Sequence, residues 1–285
     1  SRVVSGSLIH CEGTMHTIPT VGAALPSTML TEYLDWILAD QRDLEIQDAT
    51  SPQCLDGNWR ERTQRIRSLL DGYTGRLGIH GPFVGLDIGC SDPAIQQVVQ
   101  RRLLQGLEFA GQIGAKQMVV HSPFMNFGTG FSAVQHKSIL NTIENAHATL
   151  APVITLASHI GCTLVIETIQ DLNPTVLRDF IVSFNSPWVQ QSIDVGHVRI
   201  GMTRGGATIP EWIRQNGDIL RHVHLQDTDG SYDWHHRLGL GDINFAAIFA
   251  ELQALSHQPR LILELRNHRD ITESWQYLVE RGLVK

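Results

Sequence analysis

Six apolar runs in this chain end in a side chain that can hold a divalent metal. They are Ile79-His80, Val119-Val120-His121, Val165-Ile166-Glu167, Ile193-Asp194, His222-Val223-His224 and Leu263-Glu264. A lone histidine after such a run is ordinarily a packed or capped side chain. Six ligand-type residues at corresponding places imply one shared site. Neutral imidazole nitrogens mixed with carboxylate oxygens suit zinc, manganese, cobalt or iron(II) better than calcium, with magnesium also compatible. Carboxylates beside a dication stay ionised and can still move protons. In Asp194-Val195-Gly196-His197 a further histidine follows one turn beyond its run, with Gly196 easing the turn. His197 reads as a ligand or as a residue that orients one. The densest segment is His222-Val223-His224-Leu225-Gln226-Asp227-Thr228-Asp229-Gly230, running on to Asp233-Trp234-His235-His236-Arg237. Strand alternation puts His222 and His224 on one face, and Asp233 and His235 on a loop able to fold back over them. The plainer alternative is a simple turn at 227–230 followed by a solvated Asp-x-His pair.

Residues so far apart meet only if the elements bring them together. Short β-type runs are expected at 7–10, 44–47, 77–80, 117–121, 163–167, 189–194, 219–225 and 260–264. Between them, segments of helical period fall at 28–39, 59–70, 93–113, 132–159, 174–184, 210–216, 245–255 and 272–279. Pro93, Pro174 and Pro210 stand where a first helical turn tolerates proline, and Gly114 and Gly161 where helix ends favour glycine. Eight strand–helix pairs predict an α/β fold, a single (β/α)₈ barrel over residues 1–285, whose strand ends converge on one mouth. The competing open, doubly wound sheet lacks its glycine-rich dinucleotide fingerprint after the first strand. The first pair is the weakest, because 13–24 reads as an irregular stretch.

Bulk properties fit this reading. The chain has 285 residues, 42% hydrophobic and 18% charged, enough apolar material for one barrel core. No apolar run is long enough to span a membrane, and no basic segment leads into an apolar one at the N-terminus. A soluble, cytoplasmic protein is the expectation. Cys11, Cys54, Cys90 and Cys162 have no CxxC spacing and read as reduced, mostly buried thiols. The net charge of −7 argues against general nucleic-acid binding, and 14 histidines are many for this length. A homo-oligomer is compatible with the sequence.

From about Leu77 to Glu264 these residues resemble the xylose-isomerase-like barrels, a superfamily of sugar and sugar-phosphate isomerases and epimerases, dehydratases and endonuclease IV (AP endonuclease family 2). Its sugar epimerases hold one dication through Glu, Asp, His and Glu on four strands. The resemblance places these at Glu167, Asp194, His224 and Glu264, with His222 competing for the histidine place. Endonuclease IV carries a trinuclear zinc set, and the further places correspond to His80, His121, His197, Asp233 and His235. Glu167 is followed by Thr168-Ile169-Gln170-Asp171 rather than an Asn-Thr-Ala-Gly-type turn, and the opening stretch lacks that family's His-Val-Ser type.

Two chemistries follow. In the first, a dication holds a small polyol, keto sugar or sugar phosphate while Glu167 and Glu264 exchange a proton next to the carbonyl. His222, Arg237 or Arg266 would contact substrate, and Arg199, Arg237 or Arg266 would receive a phosphate, though each arginine also reads as an ordinary surface residue. In the second, two or three ions support hydrolysis of a phosphoester, and the five further residues are ligands. A barrel that keeps the ligands but only binds a small molecule is a third, non-enzymatic reading.

Overall fold

The computed structural model describes residues 18–124 and 133–285. Eight strands close a parallel barrel in sequence order: β1 (Gly22–Leu25), β2 (Leu44–Ile46), β3 (Leu77–His80), β4 (Gln117–His121), β5 (Thr163–Glu167), β6 (Val189–Asp194), β7 (Leu220–Leu225) and β8 (Arg260–Leu263). Closure comes from β1 pairing with β8, Gly22 opposite Ile262. The helices are α1 (Leu30–Ala39), α2 (Pro52–Asp56), α3 (Trp59–Leu69), α4 (Pro93–Ile113), α5 (Ala133–Ile160), α6 (Pro174–Ser183), α7 (Val195–Met202), α8 (Ile209–Asn216), α9 (Phe245–Gln253) and α10 (Ile271–Val279).

The first strand corrects the sequence reading. It lies at Gly22–Leu25, inside the stretch expected to be irregular, while the expected strand at 7–10 lies outside the described residues. Gly-Ala-Ala-Leu carries no polar alternation, because all four residues are buried on both faces of a parallel sheet. Proline opens α4, α6 and α8 as expected, and Gly114 ends α4 with φ 79°. Of the cysteines described, Cys162 is buried and Cys54 and Cys90 are half-buried, all with free thiols.

Alternation along the strands separates two interiors. Outward residues such as Ile79, Met118, Leu164, Ile193, Val223 and Leu261 pack with helix residues Leu107, Phe109, Phe180, Trp212 and Phe249. Inward, Ala24, Val119, Val165 and Ile262 are buried apart from that cluster, alongside Gly78 and polar residues such as Glu45, Gln117 and Ser192. Two residues beyond Val119, Val165 and Ile262 come His121, Glu167 and Glu264, so the strand pleat aims the candidate ligands at the mouth.

Candidate metal centre

Glu167, Asp194 and His224 come from β5, β6 and β7 and Glu264 directly follows β8, and each offers a ligand atom within 4.8 Å of the others. Asp194 stands opposite His224 in register, and the backbone N–H of Glu264 donates to Leu225 O at 3.1 Å. His224 Nδ1 is bonded to Glu167 Oε1 and lies 3.2 Å from Glu264 Oε2. Two more groups share members with this one. Glu167 also meets His80 and His121, whose Nε2 atoms lie 3.8 and 3.4 Å from its Oε2. Asp194 also groups with His197 and His235, and Asp233 Oδ2 lies 3.3 Å from His197 Nε2. Asp233 Oδ1 lies 3.2 Å from His235 Nε2. The structure thus brings together all nine residues singled out as ligands.

The outer bonds of the histidines say which nitrogen faces the site. His80 Nδ1 lies 2.9 Å from Gly81 O, His197 Nδ1 2.8 Å from Thr168 O, and His235 Nδ1 3.0 Å from Glu264 O. A carbonyl only accepts, so each Nδ1 carries the hydrogen and donates it. Each neutral ring then turns an Nε2 lone pair toward carboxylates, an arrangement that is repulsive unless a proton or a cation lies between. His224 is oriented the other way round, its Nε2 3.1 Å from Glu45 Oε1 and its Nδ1 toward Glu167 and Glu264. This donor set fits a dication.

At His197 and His235 a proton fills that role when no metal does. Burial disfavours charge on His224, but Glu264, Glu45 and Glu167 outweigh it and raise the ring well above the ordinary histidine range. Burial likewise opposes charge on His235, yet Asp233 and Glu264 hold it up at about 9. His197 is raised by Asp194 and Asp233 against its burial. In return, Glu167 is held well below the usual carboxylate range by His224, despite being buried. Glu264 moves the other way, raised by burial and by the neighbouring Glu167. His121, packed on Phe83 with ring centroids 4.4 Å apart, is pushed down by burial to about 3.

His222, the competing claimant, lies one layer deeper. Its Nδ1 is 2.8 Å from Ser192 Oγ and its Nε2 3.0 Å from Glu45 Oε2. The arginines considered for phosphate are engaged elsewhere. Arg237 lies 3.4 Å from Glu273, Arg266 donates to Asp233 O at 3.1 Å, and Arg199 forks onto Asp242 at 2.7 Å through both Nε and Nη2.

Three features escaped the sequence reading. Glu45 has no apolar run leading to it, only a strand of three residues, yet it is buried behind His222 and His224. Gln226 donates from Nε2 to Asp194 at 3.1 Å and to Asp233 at 3.0 Å, and accepts from His235 N at 3.0 Å. Its amide occupies the place a side chain on residue 196 would need, since a Cβ there would come within 2.3 Å. Gly196 therefore makes room for Gln226 inside the first turn of α7 rather than easing a turn. Asp227 is more than a turn residue. Its buried carboxylate accepts N–H bonds from Thr228, Gly239 and Ile243 at 2.9, 2.8 and 3.3 Å, and its backbone bridges His236. This staples the segment that carries Asp233 and His235, where His235 adopts φ 47°, a left-handed conformation rare for a residue with a side chain.

Among solved structures, the fold resembles a D-tagatose 3-epimerase-like protein at 20% identity and TM-score 0.75, covering 93% of this chain and 98% of that one. A Thermus thermophilus protein from crystals soaked with zinc chloride is 26% identical at TM-score 0.70, covering 92% and 98%. The 3-keto-D-glucoside 4-epimerase of E. coli is 18% identical at TM-score 0.68, covering 92% and 98%. An uncharacterised protein of Methanocaldococcus jannaschii is 22% identical over 75% of this chain and 73% of its own length. The model of the xylose isomerase-like TIM barrel matches residues 44–282, and the chain belongs to that family.

Proposed function

We propose that this protein is a divalent-metal-dependent isomerase or epimerase of a small keto sugar, polyol or sugar phosphate. One observation carries the reading: Glu167, Asp194, His224 and Glu264 converge at the barrel mouth, with two carboxylates on either side of His224. Sugar epimerases among the structures of the same fold support it. Glu167, Asp194, His224 and Glu264 would hold the ion, with zinc or manganese suiting the donors best. When bound, it supplies a Lewis acid for substrate oxygens that gain negative charge. Glu167 and Glu264 stand on either side of His224 and would face each other across the substrate, each able to take a proton from the carbon beside the carbonyl or return it. Glu264→Gln is expected to lower turnover by about 10²–10⁴-fold with the fold retained. Retained activity in that variant on a panel of keto sugars and their phosphates removes the assignment.

A second reading is favoured by the five residues that a one-ion site leaves over. His80, His121, His197, Asp233 and His235 complete two further groups around Glu167 and Asp194. That set would serve phosphoester hydrolysis with two or three ions. Elemental analysis of the purified protein separates the two: about one ion per chain supports the isomerase, two or three the hydrolase.

A further inference from the structure

The floor of the barrel, opposite the mouth, carries the reverse charge. Arg76 just before β3, Lys116 just before β4, Arg221 in β7 and Arg260 opening β8 line one cavity of about 340 Å³. Among the described residues, no acidic side chain lines it. Nearby Asp43 is engaged by Arg76, whose Nε and Nη2 donate to it at 2.7 and 2.5 Å. In a chain of net charge −7 this is a local reversal.

Arg260 makes the floor more than a set of surface cations. The residue is 7% exposed, and its Nη1 has no hydrogen-bond partner among the described residues. The guanidinium crosses the floor over Gly78, where a Cβ would come within 2.8 Å of Nη1. Burial lowers its proton affinity; nearby Asp43 works against that, and Arg76 adds to it. A buried guanidinium N–H left unbonded is costly, and an anion entering from below would supply an acceptor to the guanidinium. Arg221 and Lys116 stand at the rim of the same cavity. Arg221 spends only Nη1, on Leu220 O and His257, and Lys116 Nζ makes one long bond of 3.4 Å to Ile160 O.

We propose that this floor is an oxyanion site for inorganic phosphate or the phosphoryl group of a small phosphate ester, with Arg260 bonding from within and Arg221 and Lys116 from the rim. It is independent of the chemistry assigned to the mouth.

The test is calorimetric titration of the metal-loaded protein with inorganic phosphate at fixed ionic strength, with chloride as control. A crystal soaked in tungstate locates the anion. The expected result is phosphate binding beyond that of chloride, tungstate against Arg260, and at least a tenfold loss of affinity in Lys116→Ala/Arg221→Ala. Arg260→Met should abolish the floor site; if that variant fails to fold, the rim pair carries the test. Phosphate bound at the mouth is told apart by Glu264→Gln/His224→Ala, which should keep the floor affinity. A hexose phosphate titrated in parallel separates the sources: tighter binding than phosphate identifies an ester, equal binding the free ion. Equal phosphate affinity in wild type and rim variant, tungstate at the mouth alone, or no preference over chloride overturns the proposal.

Discussion

At the scale of single residues, the site is defined as much by what stands behind the ligands as by the ligands. Glu45 touches Nε2 of both His222 and His224, and His222 passes on to Ser192. Glu45 itself is held ionised, burial opposing and His224 with His222 prevailing. Its carboxylate fixes which nitrogen of His224 looks into the mouth. Glu45→Gln keeps the shape but can present either its carbonyl or its N–H to that ring. Metal affinity, measured by competition with a chelator, is expected to fall about 10–100-fold while the far-UV spectrum stays unchanged. Unchanged affinity would leave Glu45 a mere filler of the barrel interior. Six apolar runs ending in ligand-type side chains made Glu167, Asp194, His224 and Glu264 legible from the sequence, because pleat and closure do the rest. Glu45 was not legible: its strand is short, and a carboxylate inside a barrel is explained only by partners 177 and 179 residues away in the chain.

At the scale of elements, seven of the eight expected strands fall where periodicity put them, and β1 does not, since a strand buried on both faces shows no alternation. Helix α7 was missed for a different reason. Val-Gly-His-Val-Arg-Ile-Gly-Met is poor helix material, and the helix begins directly after β6 because Asp194 caps it, accepting from His197 N at 2.8 Å. The capping carboxylate is also a candidate ligand, so helix start and site are one feature. The stapled segment 227–243 sets a pH signature in metal-free protein. His235 holds its proton to about pH 9 in the fold, against about 6.5 in the unfolded chain. Between these values the native state binds more protons than the unfolded one, so stability falls as pH rises from about 6.5 to about 9. His197 and His224, raised likewise, act in the same direction. Urea unfolding after chelation should show this slope, and His235→Gln should reduce it by up to a few kcal/mol across the window. A wild-type slope that is flat or rising there contradicts the proton-filled site.

At the scale of the whole molecule, one family architecture presents two chemically opposite ends. The described helices include none long and apolar enough to cross a membrane. Arg42 helps close the seam, buried between the rings of Trp36 and Trp275 while its guanidinium donates to Val21 O and Lys285 O. Because all eight strands run the same way, the cluster of carboxylates and imidazoles lies where they finish and the cavity lined by Arg76, Lys116, Arg221 and Arg260 where they start. Carboxylates gathered at one mouth would attract a cation before it touches a ligand. Association of zinc with the chelated protein, followed by stopped flow, should slow steeply between 10 and 500 mM salt while its dissociation rate changes little. A salt-independent association rate would mean that the mouth carboxylates do not act at a distance.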